Sequence, residues 1–303
     1  MSAFNAYMAL SGAVDATLVR DERLSRHTGY HIGGPADLVA QCHSYAGLAR
    51  VLEVLRSERV EWVILGRGTK VLAADRGYRG CVIVLDGEFA RVEVGADGLV
   101  TAGAGALLSK AVFEASRASL TGLEFLSGIP GTVGGAVSLN AGTGRRCVGE
   151  RVRDLVTLRP GAGLVRYRAS DVEWGRRATS LPPDEVILEA TFELAPGGRE
   201  AIDAATRAGL EAMGAVTGSR ASCGAVFADP PGRSASVLVG SCGLGGATQG
   251  RARVSDEDPN LIVNTGGASA DDVVALMGRM HEAVLRRHGI DLACEVKLLG
   301  FEG

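Results

Sequence analysis

Residues 122–142 read GLEFLSGIPGTVGGAVSLNAG. Gly128, Gly131, Gly134, Gly135 and Gly142 are interleaved with apolar residues and Pro130, and Asn140 stands near the end. A loop this bare lets backbone N–H groups approach a large flat or phosphorylated ligand, while its apolar residues anchor it in a core. A glycine-rich buried crossing without a ligand is the plainer alternative. A shorter cluster, GRGTK at 66–70, follows the β-rich run VEWVILG. Its backbone donors, with Thr69 and Lys70, suit a phosphate; an ordinary tight turn explains the pattern equally well. The third glycine of a dinucleotide fingerprint falls on Val71, so that motif is absent.

The rest of the chain narrows the class. At 303 residues it can bury a large core and form two or three domains. A net charge of -3 and a pI near 6.0 argue against nucleic acid as a partner. The 43 glycines are scattered without a period, which excludes collagen-like order. The six cysteines form no C-x-x-C pair, and the histidines show no ligand spacing, so no metal is expected. The N-terminus lacks the basic region and apolar run of a signal peptide, and no run nears the ~20 apolar residues of a membrane span. A reducing cytoplasm is the expected setting.

Periodicity predicts helices over 48–58, 106–119 and 200–214, strands over 60–66, 81–85 and 186–194, and a hairpin turning at 161–163. A last helix begins after Ser269, with Asp271 and Asp272 in its first turn, and stops at Gly289. LAPGGRE at 194–200 reads as a linker. The class is α+β.

At this point the chain resembles a known family, the UDP-N-acetylenolpyruvoylglucosamine reductases, flavoenzymes of peptidoglycan synthesis. GLEFLSGIPGTVGGAV…NAG is close to that family's FAD signature, and HIGGPADL (31–38) and GRGTKVL (66–72) resemble its other flavin segments. The resemblance runs from about residue 20 to 301. It implies a two-part FAD-binding region of the vanillyl-alcohol-oxidase type, at 1–86 and 87–196, and a substrate-binding α+β domain at 197–303. Flavin contacts would come from Ile32, Gly33, Gly34, Leu65, Gly66, Arg67, Gly68, Thr69, Lys70, Gly128, Ile129, Pro130, Gly131, Thr132, Gly134, Gly135, Asn140 and Gly142. It also implies NADPH as electron donor and a small-molecule substrate.

In that family an arginine and a glutamate stabilise charge on the reacting substrate, and a serine protonates its carbon. WGRRATS (174–180) carries the arginine over to Arg177, with Arg176 where the motif has tyrosine, and ACEVKLLG carries the glutamate over to Glu295. The serine belongs to a G-S-[FV]-F-K-N-P motif, which here reads GAVFADP (224–230). Ala225 therefore stands at the acid position, Ala228 at the lysine and Asp229 at the asparagine. Alanine donates no proton, and the change to Asp229, with Asp258 in the altered segment 255–258, adds negative charge at the substrate end. If 222–228 is a strand, Cys223 shares a face with Ala225 and offers a substitute acid; a packed core thiol is the alternative. The departures point to a flavin-dependent oxidoreductase acting on a different substrate, of a kind that suits secondary metabolism. A true reductase using another acid, and a non-catalytic flavin-binding protein, stay open.

Overall fold

The computed structural model describes residues 2–144, 146–217 and 221–301. Packing groups the chain into two compact units, one of Met1–Arg20, Leu38–Gly66 and Gly80–Ala215, the other of Asp21–Asp37, Arg67–Arg79 and Val216–Gly303. This grouping differs from contiguous segments 1–86, 87–196 and 197–303, because residues 21–37 and 67–79 join the C-terminal part.

The first unit has two cores. In one, Leu38, Cys81 and Ile83 pack with Leu48, Val51, Leu52 and Leu55 of the helix Tyr45–Glu58. The apolar residues of that helix recur at three- and four-residue intervals, so one face is buried. Ser44 caps it by accepting from Gly47 N. In the other core, a five-stranded sheet runs in the order Gly163–Arg168, Val152–Arg159, Val186–Glu193, Leu99–Gly103, Val92–Val94. The expected hairpin is its outer pair, with Thr157 opposite Val165 and Arg159 opposite Gly163. The helix Leu108–Arg117 covers this sheet through Leu108, Ala111, Val112 and Ala115. Phe113, on the same helix, is 58% exposed.

The expected linker is part of the first unit. Ala195–Pro196 pairs antiparallel with Leu120–Thr121, and Gly197 N donates to Ser119 O. The helix Arg199–Thr217 follows directly, with Ile202 buried. A Cβ at Gly128 would lie 2.6 Å from Met213 Cβ, so that glycine also serves close helix packing.

In the second unit the helix Ala270–His288 buries Val273, Leu276, Met277, Met280 and Val284 against Val239, Val254 and Ile262. Its ends match the sequence signals: a Ser269–Asp272 capping box opens it, and Gly289 at φ +66 closes it. Val71–Ala73 pairs in parallel with Lys297–Leu299, which brings residues far apart in sequence side by side. Among the described residues, no helix is long and apolar enough to cross a membrane.

Candidate functional site

The middle of the glycine stretch 122–142 is pinned to residues 104–108. Leu108 N donates to Gly131 O, Val133 N to Ala106 O and Gly134 N to Ala104 O. Thr132 caps the short helix Val133–Ser138, its hydroxyl accepting from Gly135 N. Gly66 meets this loop: a Cβ there would lie 2.5 Å from Thr132 Oγ1. Leu65 is buried behind it, and Leu65 N donates to Ile83 O. Within the first unit Gly66 thus meets the glycine loop at Thr132.

Asn140 was expected to face the cofactor. Its amide instead bridges backbone: Nδ2 donates to Gly175 O and Oδ1 accepts from Gly149 N. The residue is buried, and both ends of its side chain are engaged. Gly142 packs against the Arg146 carbonyl, where a Cβ would lie only 1.9 Å away. The Asn140 bond fixes the hairpin Trp174–Thr179, whose turn is Arg176–Arg177. Trp174 lies against Gly149 and donates from Nε1 to Ala169 O. Arg177 adopts φ +53 at the turn, and Arg176 beside it is exposed.

The second unit gathers the remaining candidates. Gly68, at φ +60, crosses the turn at 27–29, and a Cβ there would lie 2.0 Å from His27 O. Gly29 N donates to Gly68 O. Ile32 is buried, while Gly33 and Gly34 pack against Leu24, Ala73 and the Asp75 carbonyl. Arg67 and Thr69 flank Gly68 in the same loop. Lys70 does not extend as expected toward a phosphate: Nζ donates to Ala225 O at 2.7 Å and to Glu295 Oε2 at 3.1 Å.

The motif GAVFADP is clamped around that pair. Glu295 N donates to Val226 O, Ala228 N to Ala293 O and Val226 N to Asn260 O. Asn260, which the sequence reading passed over, holds Phe227 from both sides: Oδ1 accepts from Phe227 N, and Nδ2 donates to Phe227 O. Its side chain shows no periodicity to read, because the bonds are tertiary.

The segment 222–228 is not a regular strand; only isolated bridges, Ala225 with Leu261 and Phe227 with Cys294, mark it. Gly224 at φ +68 breaks the alternation that would have put Cys223 on Ala225's face. Cys223 instead enters the core beside Tyr30, Leu72 and Val226, and its thiol donates to Val71 O. Burial pushes that thiol up to about 12, despite the opposing pull of Lys70. The thiol is enclosed in the core and packs there as a small apolar group. Asp229 Oδ1 accepts from Ala235 N at the start of a helix that Ser234 caps, and Asp258 accepts from Asn260 N in a local turn. Each of these two carboxylates thus makes a local structural bond.

The residues present fit FAD. Gly66 leaves no room for a side chain where its loop meets Thr132, and Ser127, inside the glycine stretch, buries a hydroxyl with no protein partner. A polar ligand atom would satisfy such a hydroxyl. Comparison with known proteins agrees. A family model of the FAD binding domain matches residues 36–158, and one of the UDP-N-acetylenolpyruvoylglucosamine reductase C-terminal domain matches 217–299. The chain is 38% identical to the UDP-N-acetylenolpyruvoylglucosamine reductase of Pelobacter propionicus over 297 residues, covering 97% of this chain and 100% of that one. It is 37% identical to that of Geotalea uraniireducens, covering 97% of each. The crystal structure of the Thermus caldophilus reductase superposes with a TM-score of 0.79 at 33% identity, over 94% of this chain and 98% of that one. Full-length matches at this level leave one conclusion: the chain belongs to the UDP-N-acetylenolpyruvoylglucosamine reductase family of FAD-dependent oxidoreductases.

Proposed function

We propose that this chain oxidises a small molecule other than the family's enolpyruvyl nucleotide, with Glu295 as proton acceptor. The observation that carries the reading is the Lys70–Glu295 pair at the backbone of Ala225, whose methyl group takes the place of the carbon acid. Reducing a carbon–carbon double bond requires a proton delivered to carbon; removing hydrogen requires a base. The site keeps a carboxylate that can accept and has no hydroxyl at 225 that can donate.

FAD, when bound, would supply the two-electron redox chemistry, and in the first unit Gly66 and the loop Gly128–Gly135 would hold it. The chain's own residues do the rest. Arg177, presented at the tip of the hairpin Trp174–Thr179, binds a carboxylate or other anionic group of the substrate. Glu295, with its side chain 6% exposed, works where water is scarce and charge interactions are strong. At the position of the motif lysine, Ala228 offers no cation to a nucleotide diphosphate, which disfavours that substrate.

The full-length identity to named reductases supports a second reading, that of an NADPH-dependent UDP-N-acetylenolpyruvoylglucosamine reductase whose proton comes from water. Ala225→Ser separates the two. Under the first reading the variant gains turnover of UDP-N-acetylglucosamine enolpyruvate with NADPH by about 100-fold or more over a negligible parent rate, the usual size of a general-acid contribution. A parent that already turns over this substrate at rates typical of enzymes, unchanged by Ala225→Ser, overturns the first reading and supports the second.

A further inference from the structure

We infer that Lys70 is a positioning residue for Glu295, holding it as a bare carboxylate beside position 225 so that it takes a proton from the substrate. The inference rests on the oxidative reading above and adds the residue that fits Glu295 for the task.

The geometry comes from three converging segments. Val71–Ala73 runs parallel to Lys297–Leu299 with Val71 opposite Lys297, and Lys297 N donates to Lys70 O at 2.8 Å. That register sets Glu295 beside Lys70. Glu295 N donates to Val226 O, which ties the same residue to the segment after Ala225. The Lys70 ammonium closes the arrangement, bonding the Ala225 carbonyl at 2.7 Å and Glu295 Oε2 at 3.1 Å. A carboxylate with only 6% of its side chain exposed is costly unless a cation compensates it.

Three titratable groups around the pair, Cys223, Cys294 and Tyr30, add no negative charge at neutral pH. Cys223 and Cys294 are both raised by burial and stay as thiols. Tyr30 is raised well above its ordinary value by burial and stays a phenol. Lys297, two residues beyond Glu295, is a cation of the same sign as Lys70.

Residue choice points the same way. The chain has 32 basic residues, and its only lysines are Lys70, Lys110 and Lys297. A compact ammonium can meet a carbonyl and a carboxylate at once in a half-enclosed space, whereas the wider, planar guanidinium makes a different fork. With a methyl at 225, no hydroxyl competes for either partner. In the acid–base step the substrate's X–H bond breaks, the proton moves to a Glu295 carboxylate oxygen, and the bonding pair stays with the substrate.

The test is an infrared pH titration of the flavin-loaded protein, with the Glu295 band identified by subtracting the Glu295→Gln spectrum. In Lys70→Met the pH at which the ionised band gives way to the protonated carboxyl band should rise by about one to three units, the usual effect of losing an adjacent opposite charge. Lys70→Arg should return most of that shift. If Lys70→Met does not fold, Lys70→Gln removes the charge while keeping a donor for Ala225 O and gives the same comparison. Equal midpoints in the wild type and the uncharged variant overturn the inference. The titration uses no substrate, so a protein that fails to oxidise anything while its Glu295 band shifts as expected sinks the functional reading alone.

Discussion

Asn140 Nδ2 donates to the carbonyl of Gly175 at 2.9 Å, two residues before Arg177 in the same hairpin. A residue in the glycine signature therefore holds the loop that presents the candidate substrate arginine. Asn140→Ala removes this donor and the acceptor for Gly149 N. The expected cost is about 1–3 kcal/mol of unfolding free energy. Chemical denaturation reads it; an unchanged midpoint would show that the hairpin stands without Asn140.

Glu185 ties the five-stranded sheet together and should set its acid sensitivity. Its side chain is fully buried, accepting from Thr157 Oγ1, Arg159 Nε and Tyr167 OH. Burial alone would raise this carboxyl, but the hydrogen bonds and the Arg159 charge outweigh it and hold it below its ordinary value. A carboxyl lowered in the folded state stabilises fully above its unfolded value of about 4.3, and that stability is lost as pH falls through the folded value. Glu185→Gln should cost about 1–3 kcal/mol at neutral pH and flatten the stability curve below about pH 4.3. Urea midpoints between about pH 7 and 3 decide it; curves that stay parallel throughout contradict the assignment.

The buried thiols should be inert. Burial pushes Cys42 and Cys223 up to about 12, so at about pH 7.5 the thiolate fraction is roughly one in thirty thousand. Maleimide labelling of the native protein should spare both and modify cysteines outside the core first. Cys223→Ala should keep flavin turnover within about three-fold, since it removes a packing group and not an acid. A loss of about 100-fold with the fold intact would restore Cys223 as the proton donor.

Local signals carried much of the fold. The helix Ala270–His288 was legible to the residue, because caps are written in the sequence next to the turns they close. The hairpin turning at 161–163 was legible for the same reason. Tertiary choices were not. Gly224 reads as any glycine until its φ of +68 shows that it turns Cys223 away from Ala225. Asn140 and Asp229 read as ligand groups, and both bond protein backbone. The linker expected at 194–200 fails because Ala195–Pro196 finds a partner in Leu120–Thr121, more than seventy residues earlier. Lys70 belongs to the same class: its partners, Ala225 and Glu295, lie 155 and 225 residues along the chain.

The central claim is that the flavin works while the proton donor for the enolpyruvyl substrate is gone. Anaerobic reduction of the bound flavin by NADPH or dithionite, followed by UDP-N-acetylglucosamine enolpyruvate, tests it in one cuvette. The flavin should bleach and stay bleached after the substrate is added. Stoichiometric reoxidation within seconds would contradict it and return the chain to peptidoglycan synthesis.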